Sequence, residues 1–293
     1  MSNLKEVRTR IESVNSTMQI TSAMKMVSAS KLRKSQNAIL NMRPYASKLR
    51  ELMQNLAPYM GKSEMAKYTE QPEVKKVLLV PVTSNRGLCG AFNTSIIRHT
   101  VKLAVEQYNN LIEENNLAVF CIGKKGDDFF KKYHFQYTGS EIQVFDHLNF
   151  EHIIPLAEYF MRLFVEKEFD RIVFVYNQFR SAGTQIIVEE QLLPLELPPQ
   201  KIDELDDGVS KYIFEPDQQQ ILDTLVPKTI KMQVYKMILD SFASEHGARM
   251  IAMHKATDNA TEMLKELKLS YNKARQAAIT NEIIEIVGGA EAL

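Results

Sequence analysis

LKEVRTRIESVNSTMQIT, the stretch from Leu4 to Thr21, carries an apolar or small side chain at alternating steps of three and four residues. The positions are Leu4, Val7, Ile11, Val14, Met18 and Thr21. This spacing is typical of a heptad seam, the stripe along which one helix of a coiled coil packs against another. We expect the seam to continue through Ala23, Met24 and Val27, and Pro44 to kink the helix or end its first part. Residues 1–60 are therefore predicted to form one arm of a coiled coil.

A second heptad seam lies at the other end of the chain. About 60 residues after Pro227 contain no proline and, before Gly288, no glycine except Gly247, which corresponds to about 90 Å of helix. The seam consists of Leu264, Leu267, Tyr271, Ala274 and Ala278. Small residues precede it and would let a second helix approach closely, namely Ala243, Ser244, Ala248, Ala252 and Ala256. The simplest arrangement pairs residues 1–60 with residues 208–293 as an antiparallel coiled coil, and a parallel homodimer is the alternative.

The middle of the chain, residues 73–200, has a different pattern. Apolar runs such as KKVLLVPV, LAVFCIG, RIVFVYNQF and TQIIVEEQLLP alternate with stretches of helical character such as SIIRHTVKLAVEQY, DDFFKKY and FEHIIPLAEYFMRLFVEK. Apolar strands separated by helices predict a Rossmann-like α/β domain with a mostly parallel sheet, and the last two strands are expected to pair. Two segments rich in proline or charge, Gly61–Pro72 and Leu195–Asp207, are predicted to be linkers.

The composition limits the class of function. The 293 residues include 36 basic and 36 acidic side chains, so no overall charge points to nucleic acid as a partner. We find no apolar run near the 20 or so residues of a membrane span, and no signal or transit peptide. The two cysteines are too few for a disulfide framework and favour a reducing cytoplasm. Residues 1–56 nevertheless hold ten basic and three acidic residues, which predicts either an acidic partner surface or a solvated helix face.

No stretch predicts a catalytic, cofactor or metal site. SNRGLCG lies between a strand and a helix, where phosphate-binding loops occur, but it matches neither GxGxxG nor GxxxxGK(S/T). A tight turn is the simpler interpretation, with Arg86 and Cys89 as exposed contact residues at the edge of the sheet. The six histidines lack metal-ligand spacing. The long helices are therefore the feature in which we expect the function to lie.

Several stretches together resemble the γ subunit of F-type ATP synthases. They include ITSAMKMVSASKLRKSQ (Ile20–Gln36), SEHGARMIAMHKATDNA (Ser244–Ala260) and the C-terminal NKARQAAITNEIIEIVGGAEAL. The last matches the family's terminal signature at Ile279, Thr280, Glu282, Glu285, Gly289, Ala290 and Ala292. RGLCG and RPYA also belong to the bacterial pattern, so the resemblance spans essentially the whole chain. Gly247 departs from it, since many relatives have another helix former there, and we expect it to soften the helix locally.

The resemblance implies a central rotor that catalyses nothing alone and holds no cofactor. In that family the coiled coil stands inside a ring of three α and three β subunits, and the α/β domain lies beneath, near the membrane c-ring and the ε subunit. Rotation couples proton or sodium flow through the membrane ring to ATP synthesis or hydrolysis in the β subunits. The implied location is peripheral, at the cytoplasmic face of the bacterial inner membrane. The alternative is an α/β small-molecule-binding protein with coiled-coil oligomerisation arms.

The resemblance also assigns roles to individual residues. Contacts with the β subunit are expected at Arg275, Gln276, Thr280, Met24, Lys31, Arg33, Lys34, Arg86 and Cys89, the last five facing an acidic lever helix. An apical bearing inside an apolar sleeve is expected at Ile283, Ile284, Ile286 and Val287, which with Ile279 cover most sides of the helix and predict burial all round. Arg249 and Glu282 are expected between the two helices of the shaft.

Overall fold

The structure is a computed structural model that describes residues 4–56, 67–71, 73–132, 135–196, 215 and 217–291. Its helices are α1 (Leu4–Leu56), α2 (Phe92–Gln107), α3 (Asn109–Glu113), α4 (Lys124–Phe130), α5 (Phe150–Val165) and α6 (Gln218–Glu291). Its strands are β1 (Val77–Pro81), β2 (Leu117–Ile122), β3 (Gln136–Glu141), β4 (Arg171–Ser181) and β5 (Thr184–Leu193). The chain divides into two compact units, residues 1–30 with 249–293 and residues 31–248. The domain boundaries predicted from the sequence stay predictions, because the predicted linkers lie largely outside the described ranges.

In the unit of residues 1–30 and 249–293, α1 and α6 run antiparallel. Side-chain contacts join the two helices at Met18–Thr261 (3.4 Å), Thr21–Thr257 (2.9 Å) and Lys25–His254 (3.3 Å). The residue number on α6 therefore falls from 261 to 254 as the number on α1 rises from 18 to 25. The antiparallel coiled coil predicted from the two seams is confirmed.

The seam of α1 keeps its heptad spacing beyond the stretch recognised in the sequence. The buried positions after Thr21 are Ser28, Leu32, Ser35, Ile39, Met42, Leu49, Met53 and Leu56. Ala23 and Val27, which we expected in the seam, are exposed. The two serines fit a buried seam because each hydroxyl donates to a carbonyl oxygen of its own helix, four residues earlier, at 2.8 and 3.0 Å. This local bond satisfies the polar group and leaves only a small side chain to pack.

Pro44 and Pro227 both lie inside helices, so neither of them ends one. Proline removes one backbone donor and leaves the carbonyl four residues earlier without its usual partner. Pro44 is exposed, where water can replace the missing donor. α6 starts before Pro227, at Gln218, after Asp217 accepts a hydrogen bond from the Gln220 backbone N–H at 2.8 Å. α6 therefore extends back past Pro227, within the range of residues 208–293 predicted for the C-terminal helix.

Residues 31–248 contain a five-stranded sheet in the order β3–β2–β1–β4–β5. β1 pairs in parallel with β2 and β4, β2 pairs in parallel with β3, and β4 pairs antiparallel with β5. The mostly parallel α/β sheet and the pairing of its last two strands are confirmed. β3 was not predicted, because QYTGSE at this edge of the sheet has no apolar run and no fully buried residue.

Both faces of the sheet are buried at its central strands β1 and β2. Leu78 and Val80 of β1 join an apolar cluster formed with α1, α5 and α6, whereas Val77 and Leu79 join a cluster formed with α2 and α4. Burial on both faces explains why β1 is a continuous apolar run rather than an alternating one. Tyr68, from a segment predicted to be a linker, also packs in the first cluster.

Candidate functional site

The last part of α6 extends beyond the start of α1. Thr261 lies opposite Met18, and the antiparallel register then places Arg275 opposite Leu4, where α1 begins. We call residues 276–291 the tip segment. Its aliphatic side chains are between 48 % and 71 % exposed, at Ile279, Ile283, Ile284, Ile286 and Val287. The burial predicted for this helix is thus not found among the residues that the structure describes, and an exposed apolar surface of this kind is typical of an interaction site.

The polar residues assigned to contacts near the tip are exposed. Arg275, Gln276 and Thr280 are all on the surface, and the Thr280 hydroxyl donates to the Gln276 carbonyl oxygen at 2.9 Å. Arg249 is buried. Glu282 is exposed and lies beyond the start of α1. The structure therefore corrects the position between the two helices that we predicted for Glu282, whereas the role of Arg249 stays a prediction.

Lys31, Arg33 and Lys34 form a basic cluster on α1. All three are exposed, because Leu32 and Ser35 occupy the seam and leave their neighbours on the other faces of the helix. None of the three forms an ion pair with a residue in the described part of the chain, so their charge is available to a partner. Met24, which precedes this cluster on α1 and was also predicted to contact the β subunit, is half-buried.

The turn between β1 and α2 is held by its own side chains. The Ser84 backbone N–H donates to Asn93 Oδ1 at 2.9 Å, and the Ser84 hydroxyl donates to the Arg86 carbonyl oxygen at 2.7 Å. Asn93 Nδ2 donates to Cys89 Sγ at 3.3 Å. Leu88 has a φ of 63°, which is rare for a residue other than glycine. The tight turn expected for SNRGLCG is what the structure shows.

Cys89 is only 2 % exposed, which corrects our expectation that it is a surface contact residue. The Asn93 amide holds its thiol inside the turn. Arg86 is exposed, as expected, and Leu88 is 64 % exposed. The side chains that this turn offers to a partner are therefore Arg86 and Leu88. This exchange could not be predicted, because nothing in RGLCG indicates which of its residues points inward.

The crevice in which α/β sheets commonly bind ligands is filled by the chain itself. It lies near the carboxyl ends of β1 and β4, where the strand order reverses. There the Ser241 hydroxyl of α6 donates to the Val82 carbonyl oxygen at 3.5 Å, and the Ser244 hydroxyl donates to the Asn177 carbonyl oxygen at 2.9 Å. Ser244 thus bonds to the sheet, although we expected it to make room for a second helix. α6 therefore occupies the place where a nucleotide would bind in a sheet of this kind.

A buried carboxyl group, Asp240, lies on the same part of α6 and is surrounded by less buried charges. Desolvation by burial raises the pKa of Asp240 from 3.8 to about 6, and the negative charge of Glu190 adds to the rise. Lys236, Arg43 and Arg180 act in the opposite direction and lower that pKa in part. Lys236 Nζ also lies 3.3 Å from a carboxylate oxygen of Glu190. The cluster brings together charges from α1, α6, β4 and β5, and its place between packed elements indicates a structural role.

Two other kinds of feature are missing from the part of the chain that the structure describes. There, no helix combines the length and the apolarity needed to cross a membrane. Nor do three or more His, Cys, Asp or Glu side chains come together there as they would around a metal ion.

Comparison with known proteins supports the resemblance found in the sequence. Residues 3–293 match the ATP synthase family model, and the chain is 56 % identical to the ATP synthase gamma chain of Flavobacterium johnsoniae over 100 % of its own length and 99 % of the relative's. The chain belongs to the ATP synthase gamma chain family. It is also 57 % identical to the gamma chain of Flavobacterium psychrophilum and 53 % identical to that of Christiangramia forsetii, with the same coverage of both partners.

Solved structures show the same architecture. A chain of the central stalk and c-ring of the Tetrahymena thermophila mitochondrial ATP synthase superposes with a TM-score of 0.57 and 26 % identity, over 81 % of this chain and 99 % of that one. A rotor chain of the Euglena gracilis mitochondrial ATP synthase gives a TM-score of 0.65 at 21 % identity, over 94 % and 98 % of the two chains. The second likeness concerns the fold alone.

These comparisons confirm the function predicted from the sequence, a gamma-type rotor subunit of ATP synthase that is not catalytic by itself. The alternative, an α/β small-molecule-binding protein with oligomerisation arms, is not favoured. The crevice filled by Ser241 and Ser244 counts against it as well. The contact roles of individual residues stay predictions.

Proposed function

We propose that this chain turns as the central shaft of a bacterial F-type ATP synthase, inside a ring of three α and three β subunits. Its rotation couples proton or sodium flow through the membrane c-ring to ATP synthesis or hydrolysis in the β subunits. The chain is peripheral, at the cytoplasmic face of the inner membrane, and reaches the membrane through the c-ring and the ε subunit. The observation that carries the proposal is the exposed apolar tip segment at the end of a two-helix shaft.

The tip segment has the properties of a bearing. Five aliphatic side chains are about half exposed on a single helix. Burying them in an apolar sleeve would contribute about 5 kcal/mol to the free energy of binding between the tip segment and the sleeve. Apolar contact is not directional, so it holds the helix in place without favouring one rotational angle. A sleeve of this kind therefore allows the shaft to turn.

Polar residues below the tip suit contacts that form and break during each turn. Arg275, Gln276 and Thr280 are exposed and are proposed to meet the β subunit. Hydrogen bonds and exposed charges add angular specificity at a modest net energy, about 1 kcal/mol or less each. Such contacts distinguish one β subunit from the next without trapping the shaft.

The basic cluster Lys31, Arg33 and Lys34 is proposed to face the acidic lever helix of β, together with Arg86 and Leu88 from the turn after β1. The three cations are exposed and unneutralised within the described ranges, so an acidic surface gains from approaching them. At about 0.15 M salt the electrostatic attraction between such exposed charges is screened over a Debye length of about 8 Å. Raising the ionic strength should therefore weaken this contact more than the apolar contact at the tip.

The proposal is tested in the assembled complex, by paired substitutions of exposed aliphatic residues. Ile283→Ser with Ile286→Ser is expected to lower assembly, or the number of ions pumped per ATP hydrolysed, several-fold. Val105→Ser with Ile186→Ser, which changes similarly exposed side chains away from the tip, is expected to leave both unchanged. Equal effects of the two pairs would contradict the bearing.

Rotation itself is tested with a probe attached to the α/β part of the chain in the complex with α and β. The probe is expected to turn in one direction when ATP is supplied, and a covalent link between the shaft and β is expected to stop ATP hydrolysis. Hydrolysis that continues undiminished in the linked complex would show a passive scaffold instead of a rotor.

A further inference from the structure

We propose that residues Met237–Gly247 of α6, here called the collar segment, form a joint that stops α6 from turning about its own axis relative to the sheet of residues 31–248. Its positioning residues are Ser241, Ser244 and Gly247. The inference rests on the proposed rotor function, because torque generated at one end of a rotor reaches the other end only if the parts between are locked together.

The collar segment is buried on almost every side. The exposed fraction is 0 % for Met237, Ile238, Ala243 and Ser244, which lie at different angles around the helix. A surface helix hides only one stripe, so burial at several angles means that other elements grip this part of α6 from more than one direction. One of these contacts is the ring of Phe242 stacked on Phe145, with 5.9 Å between ring centroids.

The two serines attach the collar segment to backbone atoms of the sheet. Their hydroxyls donate to the carbonyl oxygens of Val82 and Asn177, at 3.5 and 2.9 Å. A backbone carbonyl within a sheet cannot swing to follow the helix, as the end of a flexible side chain can. Turning α6 by about 20° would carry an atom at the helix surface, about 5 Å from the axis, through about 2 Å. That displacement breaks a hydrogen bond, so these bonds resist twist.

Gly247 lets the hairpin between β4 and β5 approach the helix. A Cβ at this position would lie 3.1 Å from the carbonyl oxygen of Ala182 and 3.3 Å from its Cα, both of them backbone atoms in the hairpin turn. The expectation that Gly247 softens the helix is therefore replaced by a steric reason for glycine. Close backbone approach is a standard use of glycine, and here it places the hairpin directly against α6.

The turns before and at the start of the collar segment are also bonded to the sheet. Gln233 Nε2 donates to the Gln191 carbonyl oxygen at 3.2 Å, and Lys236 Nζ lies 3.3 Å from Glu190. The fixed contacts therefore follow one another along α6 and reach both β5 and the ends of β1 and β4. Because α6 is held at several positions along its length, it cannot pivot about any single contact.

The test measures torsional stiffness in the complex with α and β. A probe is attached through Lys102→Cys, an exposed position on α2, while the native cysteines stay buried. Rotation is stalled with a non-hydrolysable ATP analogue, and the angular fluctuation of the probe is recorded. The Ser241→Ala, Ser244→Ala double variant is expected to increase the angular variance about twofold, because the hydrogen bonds that tie the collar segment to the Val82 and Asn177 carbonyl oxygens are gone. Gly247→Val is also expected to increase the angular variance, because the added side chain would push the hairpin away from α6.

Ser270→Ala makes the same chemical change at an exposed position of α6 and is expected to leave the variance at its original value. If the Gly247→Val chain does not assemble, the Ser241→Ala, Ser244→Ala double variant alone tests the joint. If the angular variance of the double variant does not exceed that of Ser270→Ala, the proposed joint is wrong, even in a complex that rotates normally. A complex of the unaltered chain that does not rotate with ATP would instead overturn the proposed function, while the variance would still report on the joint.

Discussion

Replacing Asp240 with asparagine is expected to stabilise the folded chain at neutral pH and to have little effect in acid. The carboxyl group is 8 % exposed and raised in pKa to about 6, chiefly by burial. The groups that face it are Glu190 on β5, Lys236 on its own helix, Arg43 on α1 and Arg180 on β4. At neutral pH the fold therefore holds an ionised carboxylate that its three cationic neighbours only partly compensate.

The size and sign of the effect follow from the two pKa values. Raising the pKa from 3.8 to about 6 corresponds to about 3 kcal/mol, at about 1.4 kcal/mol per pKa unit. Well below pH 3.8 the carboxyl group is protonated in both the folded and the unfolded chain, and the fold bears no penalty. The penalty grows as the pH rises from 3.8 to about 6 and is constant above that. Asparagine has no charge but must bury its amide, at a cost of about 1 kcal/mol. We therefore expect a net gain of about 2 kcal/mol at pH 7.5 and nearly none at pH 4.5.

The assay is urea unfolding of the full chain, followed by circular dichroism at both pH values. Asp128→Asn makes the same change at an exposed carboxyl group and should alter the free energy of unfolding by less than about 0.5 kcal/mol at either pH. The reasoning fails if the advantage of Asp240→Asn is the same at pH 4.5 as at pH 7.5, or if the variant is less stable than the original chain at neutral pH.

Further substitutions and a labelling experiment test other parts of the fold. Gly123→Ala is expected to lower the free energy of unfolding by about 3 kcal/mol, because Gly123 has a φ of 93° and an added Cβ would overlap a backbone carbonyl. Gly87→Ala, with open space around it, should cost much less in the same urea titration. Thr21→Val and Thr257→Val are each expected to cost about 1 kcal/mol, because each removes one side of an interhelical hydrogen bond. Their costs should not add in a double-mutant cycle, and strict additivity would contradict the bond. Cys89 should react with a thiol reagent far more slowly in the folded chain than in urea, and equal rates would contradict its burial.

Much of the fold could be predicted because the pattern of apolar residues reports how many sides of an element are covered. β1 and β2 are continuous apolar runs and are buried on both faces. The edge strand β3 is covered less completely, so its sequence lacks that signal. The predicted seam of α1 did not include Ser28 for a related reason. A serine whose hydroxyl bonds to its own helix can pack like a small apolar residue, but its letter does not indicate burial.

The candidate site was predictable only where exposure follows from helix geometry. The positions of Lys31, Arg33 and Lys34 follow from the seam of α1, so their exposure could be anticipated. No such periodicity exists in the turn after β1, where a hydrogen bond to Asn93 draws Cys89 inward and leaves Leu88 outside. The orientation of these side chains is set by Asn93, which lies just outside the motif, and by the positive φ of Leu88, and neither effect can be predicted from the five letters RGLCG.

One helix, α6, shows how composition follows environment. Between Leu222 and Ile238 its buried residues are large and aliphatic, and they pack in the cluster with α5. In the collar segment small and hydroxyl side chains meet backbone, and further on the buried positions Met253, Ala260 and Leu264 return to heptad spacing. The tip segment then has the composition of a core and the exposure of a surface. Because the side chains along the rest of this helix match their surroundings, the mismatch at its end supports the proposal that another protein covers the tip segment.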